Sequence, residues 1–402
     1  MRENIPYCEA RAAILASVSP LPSIVIKCHE GLGRFLAEDV HALVDSPTQD
    51  VSQRDGYAVA DPSSAGSWRV TQTVAAGTPS KLPLKRGEAA RIFTGGELPA
   101  GAVAIVPDED ACRRGGTVTA PSGVASTRFT LGAGSDVRQG DLLAARGDCM
   151  IPALAGLMVA GGRDDIRVVA APRVGLVATG DELVLPGLPL QPGQLYASNA
   201  VVLRNWLTRF QMVCVPRTCV DDRGELQRTL AELLPDVDAI VTSGGAWKSE
   251  RDHTLGALAE LGWDPAYRMA RLAPGKATAF GLLAGKPVFC LPGGPPANEL
   301  TFLLLALPAL LRMAGGPTEP FPMVPVTVRQ ELEMTPGWTR VHQLRLVASR
   351  SGWSGYSVKS LGRMRGPART DALVLCEGDG TLAAGTVVQA LLLHNPSSIE
   401  ED

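Results

Sequence analysis

The sequence lacks a surplus of charge of either sign, a long apolar run and a basic leader. Lysine and arginine number 38, aspartate and glutamate number 41, and the formal net charge is -3. This near-balance argues against a dedicated nucleic-acid or anionic-membrane binder. The most apolar run, residues 300–311, is shorter than the ~20 residues that span a bilayer and predicts a buried helix. Residues 1–10 do not join a basic segment to an apolar core, so we expect no signal peptide and a cytoplasmic protein.

Closely spaced cysteine pairs are also missing. The eight cysteines are scattered along the chain, and no two of them have C-x-x-C spacing. We therefore expect neither a disulfide framework nor a zinc site. The thiols are expected to be small buried hydrophobic groups in a reducing compartment.

The middle of the chain alternates apolar strands with helices. Strand patterns occupy residues 174–180, 212–217, 238–245 and 287–294, and helical patterns occupy residues 199–209, 224–234, 252–261 and 296–314. This alternation predicts βαβ units and a parallel sheet. Pro295 and Pro296 suit the first turn of the last helix.

Regions of β patterning flank this segment on both sides. Residues 44–136 alternate short β-type runs with Gly, Pro and Ser turns, and β patterning resumes over residues 317–402. The first region predicts a small β-rich unit, and the second predicts a C-terminal β-barrel or sandwich. A length of 402 residues allows three or four domains of ordinary size. The expected fold class is therefore multidomain, α/β with flanking β-rich domains.

Three strands of the α/β segment end in glycine-containing turns. They are Thr179-Gly180-Asp181-Glu182, Thr242-Ser243-Gly244-Gly245 and Leu291-Pro292-Gly293-Gly294. Ligands of open α/β sheets bind beyond the carboxyl ends of the strands, and glycine lets backbone N–H groups approach an anion. Any one such turn is more often only a tight turn. Three turns on one rim, together with the segment Ala273-Pro274-Gly275-Lys276, favour a phosphate site in which Lys276 is a cation.

Carboxylates follow the same strands or begin the helices. They are Asp181, Glu182, Asp221, Asp222 and Asp252. Oxygen ligands beside anion-binding turns suit Mg²⁺ on a phosphorylated substrate. A plainer interpretation stays open, because Asp252 could be a helix N-cap and Asp221-Asp222 a solvated turn with a cap. The residues by themselves thus predict a nucleotide- or phosphate-binding α/β enzyme with flanking β domains.

Motifs in consecutive order along nearly the whole chain resemble one family. They are SQRDGYAV at Ser52, ARIFTGGELPAGAVAIVPDED at Ala90, GSDV at Gly134, PRVGLVATGDEL at Pro172, TSGG at Thr242, PGK at Pro274 and LPGGP at Leu291. With these motifs the sequence resembles the MoeA family, which includes the E domain of gephyrin. The DGY turn alone would also be explained as a hairpin corner.

The resemblance implies an elongated homodimer with four domains per chain. The implied domains are an elongated α+β linker domain (1–44 with 137–170), a small β-rich domain (45–136), a central MogA-like α/β domain with a parallel sheet that binds molybdopterin (171–316) and a C-terminal β-barrel domain (317–402). In the family, adenylated molybdopterin and molybdate react to give the molybdenum cofactor and AMP, with Mg²⁺. The implied partners are a MogA-type molybdopterin adenylyltransferase and molybdoenzymes or their chaperones.

The resemblance also assigns roles to residues. Asp55 and Asp136 match acids that the family presents across the dimer interface, and Lys276 matches the lysine of its PGK motif. All three are implied to be catalytic. Glu182, Asp222 and Asp252 match acids around the central pocket, implied to be catalytic and to hold the metal. The implied substrate-binding residues are Thr94, Thr179, Gly180, Asp181, Ser243, Gly244, Gly245, Pro274, Gly275, Pro292, Gly293 and Arg345.

The sequence departs from the family pattern at several pocket positions. Ala273 replaces a lysine just before PGK, Gly294 replaces the asparagine of PGNP, and Trp247 replaces a small residue after TSGG. Losing that lysine removes an anion contact, for which Arg271 could compensate. These changes keep two alternatives open. One is a catalytically weakened homologue that acts as a cofactor-binding carrier or scaffold, and the other is an enzyme for another nucleotide-activated pterin.

Overall fold

Two units make up the chain in the computed structural model, which describes residues 2–61, 66–120, 129–244, 253–349 and 352–396. The first unit is Met1–Ile24, Gly33–Phe35 and Val169–Asp402, and the second is Val25–Leu32 and Leu36–Val168. The four domain boundaries implied by the resemblance are not tested by this division and stay a prediction.

The helices and strands are numbered in chain order. The helices are α1 (Tyr7–Ala16), α2 (Pro152–Ala160), α3 (Ser198–Arg209), α4 (Arg223–Leu233), α5 (His253–Glu260), α6 (Pro295–Thr301) and α7 (Leu307–Met313). The strands before residue 170 are β1 (Arg2–Pro6), β2 (Ser23–Lys27), β3 (Val40–His41), β4 (Val51–Ser52), β5 (Gly56–Val59), β6 (Ser67–Val74), β7 (Glu88–Ile92), β8 (Ala104–Pro107), β9 (Cys112–Arg114), β10 (Thr117–Thr119), β11 (Thr130–Leu131), β12 (Leu142–Ala144) and β13 (Asp165–Val169). The later strands are β14 (Arg173–Thr179), β15 (Leu183–Val184), β16 (Leu195–Tyr196), β17 (Val213–Cys219), β18 (Ala239–Ser243), β19 (Asp264–Ala273), β20 (Ala279–Leu283), β21 (Lys286–Leu291), β22 (Met323–Val328), β23 (Leu332–Glu333), β24 (Thr339–Ser349), β25 (Gly352–Ser357), β26 (Ala372–Cys376), β27 (Thr381–Leu382) and β28 (Val387–Leu392).

A mixed sheet forms the centre of the first unit. Its strands follow the order β17-β14-β18-β21-β20-β19, and β1 pairs in parallel with β19. The first four strands are parallel, which confirms the predicted parallel sheet. No strands were predicted in residues 264–283, and the structure places β19 and β20 there, with β20 antiparallel to both of its neighbours, β19 and β21.

Helices cover both faces of this sheet. The core on one face combines residues of α1, α3, α6 and α7, and the core on the other combines residues of α4 and α5. In α4, Leu226, Leu230 and Leu233 recur at helical spacing and are all buried, as an amphipathic surface helix requires. Burial of each such side chain stabilises the fold by ~1.5–3 kcal/mol.

The apolar segment expected as one helix over residues 296–314 is interrupted. It forms α6, a π-helical turn at Phe302–Ala306, and α7. Pro308 lies in the first turn of α7 and has no N–H to donate to a carbonyl one turn earlier, which favours the interruption. At the other end, Pro295 and Pro296 occupy the first turn of α6 as expected.

Five strands of the C-terminal region close into a barrel. The order β24-β25-β22-β28-β26 returns to β24 through the pairing of β24 with β26. Its interior is apolar, with Val326, Leu344, Leu346, Ala372 and Ala390 fully buried. The predicted C-terminal β-barrel is therefore confirmed. A short parallel pairing joins β24 to the end of β19, at Leu272 with Thr339.

The second unit contains a six-stranded sheet in the order β8-β5-β7-β6-β10-β9. Strand β5 lies between β7 and β8, and its residues are all buried. The strand pairs β4–β11, β3–β12 and β2–β13 and helix α2 complete the unit. The β-rich region expected at residues 44–136 is confirmed as β-rich.

The prediction that the cysteines are buried is only partly correct. Cys28, Cys219, Cys290 and Cys376 are buried. Cys8, Cys112 and Cys149 are exposed, so their expected burial is wrong. No helix in the described ranges has both the length and the apolar character needed to cross a bilayer.

Candidate functional site

The carboxyl ends of β14, β18 and β21 meet at one rim of the central sheet. Strand β14 lies between β17 and β18. The next strand of this sheet along the chain, β17, is on one side of β14, and the one after that, β18, is on the other. Such a reversal of strand order opens a ligand crevice in α/β folds. Gly244 has φ +104°, and a Cβ there would lie 2.8 Å from the Thr179 carbonyl oxygen. A Cβ on Gly293 would lie 3.7 Å from the Gly244 Cα. The three predicted turns therefore lie against one another.

Hydrogen bonds from two side-chain amides connect the turns of this rim. Asn199, at the start of α3, donates to the Gly293 carbonyl at 2.8 Å. Asn298, in α6, donates to the Ser243 hydroxyl at 3.0 Å and to the Pro292 carbonyl at 2.8 Å. Asn298 is 1% exposed, and its Oδ1 has no hydrogen-bond partner in the described part of the chain. Asn298 was not predicted to be functional, because one asparagine inside a helix gives no local signal of function.

The carboxylates at the ends of β14 and β17 form a second group. Asp181 accepts from the Asp221 backbone N–H at 3.0 Å, and the Thr179 hydroxyl donates to Asp221 at 3.3 Å. A Cβ on Gly180 would lie 2.7 Å from the Glu182 carboxylate, so Glu182 lies over that glycine. Burial raises the pKa of Asp221 above its ordinary value, and the charges of Asp181 and Glu182 raise it further.

Asp222 caps a helix. Its Oδ1 accepts from the Glu225 backbone N–H at 2.9 Å at the start of α4, so the plainer interpretation weighed from the sequence is present in the structure. Its roles in catalysis and metal binding stay predictions. Gly245 and Asp252 lie outside the described residues. Within the described ranges, no three His, Cys, Asp or Glu side chains are grouped so as to hold a metal.

A cavity of about 470 Å³ opens beside the PGK turn. Ala273, Pro274 and Pro296 line it from the α/β region, and barrel residues line the rest. Its cationic side chains, Arg340, Lys359 and Arg363, were not predicted. They lie about 65 to 90 residues after the turn, and only folding brings them to it.

Two of these cations share an acidic partner. Glu333 pairs with Arg340 at 2.8 Å and with Lys359 at 3.6 Å. Arg363 lies over Gly294, because a Cβ on that glycine would be 3.0 Å from the Arg363 guanidinium. Glycine at this position leaves room for the guanidinium beside the rim. Burial lowers the pKa of His342, which favours its neutral form, so the arginines and the lysine supply the positive charge of the cavity.

Gly275 and Lys276, the last two residues of the PGK turn, each lie close to a specific side chain. Gly275 has φ +133°, and a Cβ there would lie 2.7 Å from Thr301 Cγ2, so the turn requires glycine. The Lys276 ammonium lies 5.5 Å from the centre of the Trp338 ring. Arg345, on β24, is exposed and is not among the residues that line the cavity. Its substrate-binding role stays a prediction.

Arg271 lies away from the cavity beside the PGK turn. It lines a different groove together with Tyr7 and Trp338, and Gly337 lies next to its guanidinium. Arg271 is therefore not placed to compensate for the lysine that Ala273 replaces. Arg363 supplies a cation at the cavity instead.

The second unit holds Asp55 and Thr94 together. Asp55 Oδ1 accepts from both the Thr94 backbone N–H and the Thr94 hydroxyl, each at 2.8 Å. These two bonds lower the pKa of Asp55, and the nearby Arg91 charge adds to the effect. Arg91 is paired with Asp108 and lies over the ring of Tyr57 at 5.0 Å. The exposed carboxylate of Asp55 is thereby kept ionised and fixed in orientation.

Asp136 belongs to the same unit but to another loop. Its backbone N–H donates to the Ser46 carbonyl at 3.1 Å, and its side chain is exposed. Pairing of β4 with β11 links this loop to the segment that carries Asp55. The catalytic roles of Asp55 and Asp136 stay predictions.

Comparisons with known proteins fit this architecture. Residues 5–162 match the family model of the MoeA N-terminal region (domain I and II), and residues 175–312 match that of a probable molybdopterin binding domain. The matches define the class of protein as a transferase of molybdenum cofactor biosynthesis. The chain belongs to the MoeA family of molybdopterin molybdenumtransferases.

Individual relatives are similar over most of their length. Molybdopterin molybdenumtransferase 2 of Mycobacterium tuberculosis is 32% identical over 312 residues, 74% of this chain and 76% of the relative. A molybdopterin molybdenumtransferase of Staphylococcus aureus is 26% identical over 100% of this chain and 98% of its own. The crystal structure of the MoeA protein from Pyrococcus horikoshii superposes with a TM-score of 0.82 at 28% identity, covering 98% of this chain and 100% of that one.

Proposed function

We propose that this protein inserts molybdate into adenylated molybdopterin with release of AMP, in a Mg²⁺-dependent reaction. The observation that carries the proposal is the cavity of about 470 Å³ lined by Arg340, Lys359 and Arg363 beside the PGK turn. Molybdate and the substrate phosphates are anions that charge-assisted hydrogen bonds from such donors hold strongly. The names of the relatives support the same reaction class.

The rim supplies the rest of the environment for a phosphorylated substrate. Gly180, Gly244 and Gly293 bring backbone close together at the strand ends, where no side chain of their own excludes a ligand. The chain would bind and orient the phosphoanhydride here, so that a water attacks one phosphorus, the P–O bond to the other phosphate breaks, and the cofactor phosphate and AMP are both released.

Mg²⁺ fits the carboxylates at the ends of β14 and β17. Mg²⁺ keeps several waters and commonly binds through one or two carboxylates plus substrate phosphates. Asp181 and Glu182 follow β14 directly, and their charges act on Asp221. These side chains would hold the ion, which would neutralise phosphate charge. The predicted ligands Glu182, Asp222 and Asp252 remain part of this proposal.

We further propose a cytoplasmic homodimer in which Asp55 and Asp136 are presented to the partner subunit. The support is their exposure and, for Asp55, the fixed orientation that Thr94 imposes. The substrate would arrive already activated from a MogA-type adenylyltransferase. The product would pass to molybdoenzymes or their chaperones.

Reconstitution tests the proposed reaction. Purified protein is mixed with adenylated molybdopterin, Mg²⁺ and molybdate, and both AMP and active cofactor are measured. We expect both products, and we expect neither when molybdate or Mg²⁺ is left out. Tight binding of the adenylated substrate without AMP release would contradict the proposal and support a carrier, the function that the replaced lysine at position 273 favours.

A further inference from the structure

The backbone of Lys276 is held in place by its neighbours. Its carbonyl accepts hydrogen bonds from the Thr278 backbone N–H at 2.9 Å and from the Ala270 backbone N–H at 3.3 Å. Gly275 before it packs against Thr301, so the turn has little freedom. The four-carbon side chain, by contrast, is flexible and loses much rotamer freedom when it is ordered. A lysine charge at a defined place therefore needs a group that holds the ammonium.

The ring of Trp338 is such a group. The Lys276 ammonium lies 5.5 Å from its centre, within the range of a cation–π interaction, and tryptophan offers the best ring for one. The Trp338 backbone N–H donates to the Thr335 carbonyl at 3.0 Å. Between them lie Pro336 and Gly337, and Gly337 has φ +71°. Proline followed by a glycine with positive φ is the pattern of a tight type II turn, which fixes the backbone that carries the ring.

Trp338 directly precedes β24, close to the cavity beside the PGK turn. Where β19 meets β24, Leu272 pairs with Thr339, and both side chains are buried. Side chains alternate along a strand, so Trp338 and Arg340, on either side of Thr339, share the opposite face. Arg340 and Ala273 line the cavity. The ring is therefore only two residues along the strand from a cation of the cavity, roughly 7 Å by strand geometry.

We infer that Trp338 is a positioning residue for the proposed reaction. Its ring holds the Lys276 ammonium at the edge of the cavity, where Lys276 and Arg340 together bind the phosphoanhydride of the substrate. The inference rests on the proposed function for the role of Lys276 and for the identity of the substrate. An ammonium held in this way has lost its rotamer freedom before the anion arrives, so binding the anion costs less.

Inorganic pyrophosphate tests the inference without the transfer reaction, because it contains the same kind of phosphoanhydride bond as the substrate. Its affinity for the full-length protein is measured by titration calorimetry in wild type, Trp338→Leu, Lys276→Ala and the double variant. We expect Trp338→Leu to weaken binding roughly three- to thirtyfold, the range of a cation–π interaction. In the Lys276→Ala background the same change should alter the affinity less than about twofold, because the ring then has no ammonium to hold.

Two further variants separate positioning from folding. Trp338→Phe keeps an aromatic face and should recover most of the affinity that Trp338→Leu loses. Trp353→Leu is the matched control, because Trp353 is a half-buried tryptophan of β25 that is not among the residues lining the cavity. This control should bind pyrophosphate as wild type does.

Carbon-13 NMR of the reductively methylated protein gives a readout that needs no substrate. Methylation keeps the positive charge of lysine. The face of an indole ring moves the signal of methyl groups above it upfield, and Lys276→Arg identifies the signal of Lys276. We expect that signal upfield of the exposed lysines in wild type and in Trp353→Leu, and among them in Trp338→Leu.

The outcomes separate this inference from the proposed function. Equal losses of pyrophosphate affinity from Trp338→Leu with and without Lys276 would overturn the inference, since the effect would then be structural. Wild-type affinity in folded Trp338→Leu or in Lys276→Ala would overturn it as well, and so would a Lys276 signal that Trp338→Leu does not move. A loss that depends on Lys276, in a protein that makes no cofactor on reconstitution, would support the role of Trp338 at a phosphate site while contradicting the proposed function.

Discussion

Single carboxyl groups in this protein are tuned by different neighbours, and the direction of each pKa shift follows from them. Asp55 is exposed but accepts two hydrogen bonds from Thr94, which favours its charged form. Glu299 is largely buried with one hydrogen bond from Trp206, and burial disfavours its charged form. Each shift makes folding stability depend on pH in its own direction.

For Asp55 the folded-state pKa lies below its ordinary value of 3.8. Its stabilising contribution is therefore fully present above that pH and is lost as the pH falls through the folded-state value. We expect Asp55→Asn to lower the urea midpoint of unfolding near neutral pH, and the difference from wild type to shrink in acid. Thr94→Val removes only the hydroxyl bond and should show a smaller difference. A difference that grows in acid would contradict the assigned bonds.

For Glu299 the folded-state pKa is raised above its ordinary value of 4.5, mainly by burial. The fold therefore takes up a proton there, and stability falls as the pH rises from 4.5 through the folded-state value. We expect Glu299→Gln to abolish this part of the decline, so the urea midpoint of the variant gains on wild type across that interval. Glu232→Gln, at an exposed glutamate of α4, is the matched control.

At the scale of residues, sequence and structure agree where a motif is local. The turns at Gly180, Gly244 and Gly293 were predicted from strand ends, and the structure places them against one another. Asn298 was not predicted, because its hydrogen bonds to Ser243 and Pro292 arise only when folding brings α6 to the rim. The roles of Gly245 and Asp252 stay predictions.

At the scale of elements, helix α4 links the core to the rim. Its leucines are buried on the sheet, and its first turn is capped by Asp222 from the end of β17. A cap is worth ~1 kcal/mol, and asparagine caps nearly as well as aspartate. The cap and the predicted catalytic role of Asp222 can therefore be separated by substitution.

We expect Asp222→Ala to lower the free energy of unfolding by ~1 kcal/mol and Asp222→Asn to leave it nearly unchanged. Urea unfolding measures both. If Asp222 also serves the reaction, Asp222→Asn loses AMP release while remaining as stable as wild type. Full AMP release by a stable Asp222→Asn variant would limit this residue to capping.

Gly244, which directly follows β18, allows a second test, of the turn at the end of that strand. A side chain at Gly244 would need φ +104° and would meet the Thr179 carbonyl oxygen at 2.8 Å. We expect Gly244→Ala to destabilise the protein by more than ~1 kcal/mol, measured by urea unfolding. Gly156→Ala is the matched control, because that glycine lies within α2 with no atom within 4 Å of the added Cβ. The control should be stabilised by ~0.5–1 kcal/mol.

Elements were predicted where periodicity is strong and missed where it is broken. The parallel strands β14, β18 and β21 are continuous apolar runs and were found close to their true positions. Strand β19 begins with Asp264 and Pro265, carries two arginines and has a register shift near Pro265. These features hide its alternation, and its place in the sheet depends on pairing with β20 and β1.

At the scale of the whole molecule, the chain order of strands and helices predicts the architecture but not its site. The α/β region and the barrel follow from patterning. Closure of the barrel, through the pairing of β24 with β26, is a contact between distant strands that no local pattern encodes. The same applies to the cavity beside the PGK turn, whose cations come from the barrel region.

The central claim is that these cations hold the anionic substrate, and the most direct test is single-turnover AMP release by Arg363→Ala. Arg363 lines the cavity and lies over Gly294 at the rim. We expect about a ten- to hundredfold loss, as for a lost charge-assisted bond. Arg228→Ala, at an exposed arginine that pairs with Glu225 on α4, should match wild type. Wild-type AMP release by folded Arg363→Ala would contradict the claim.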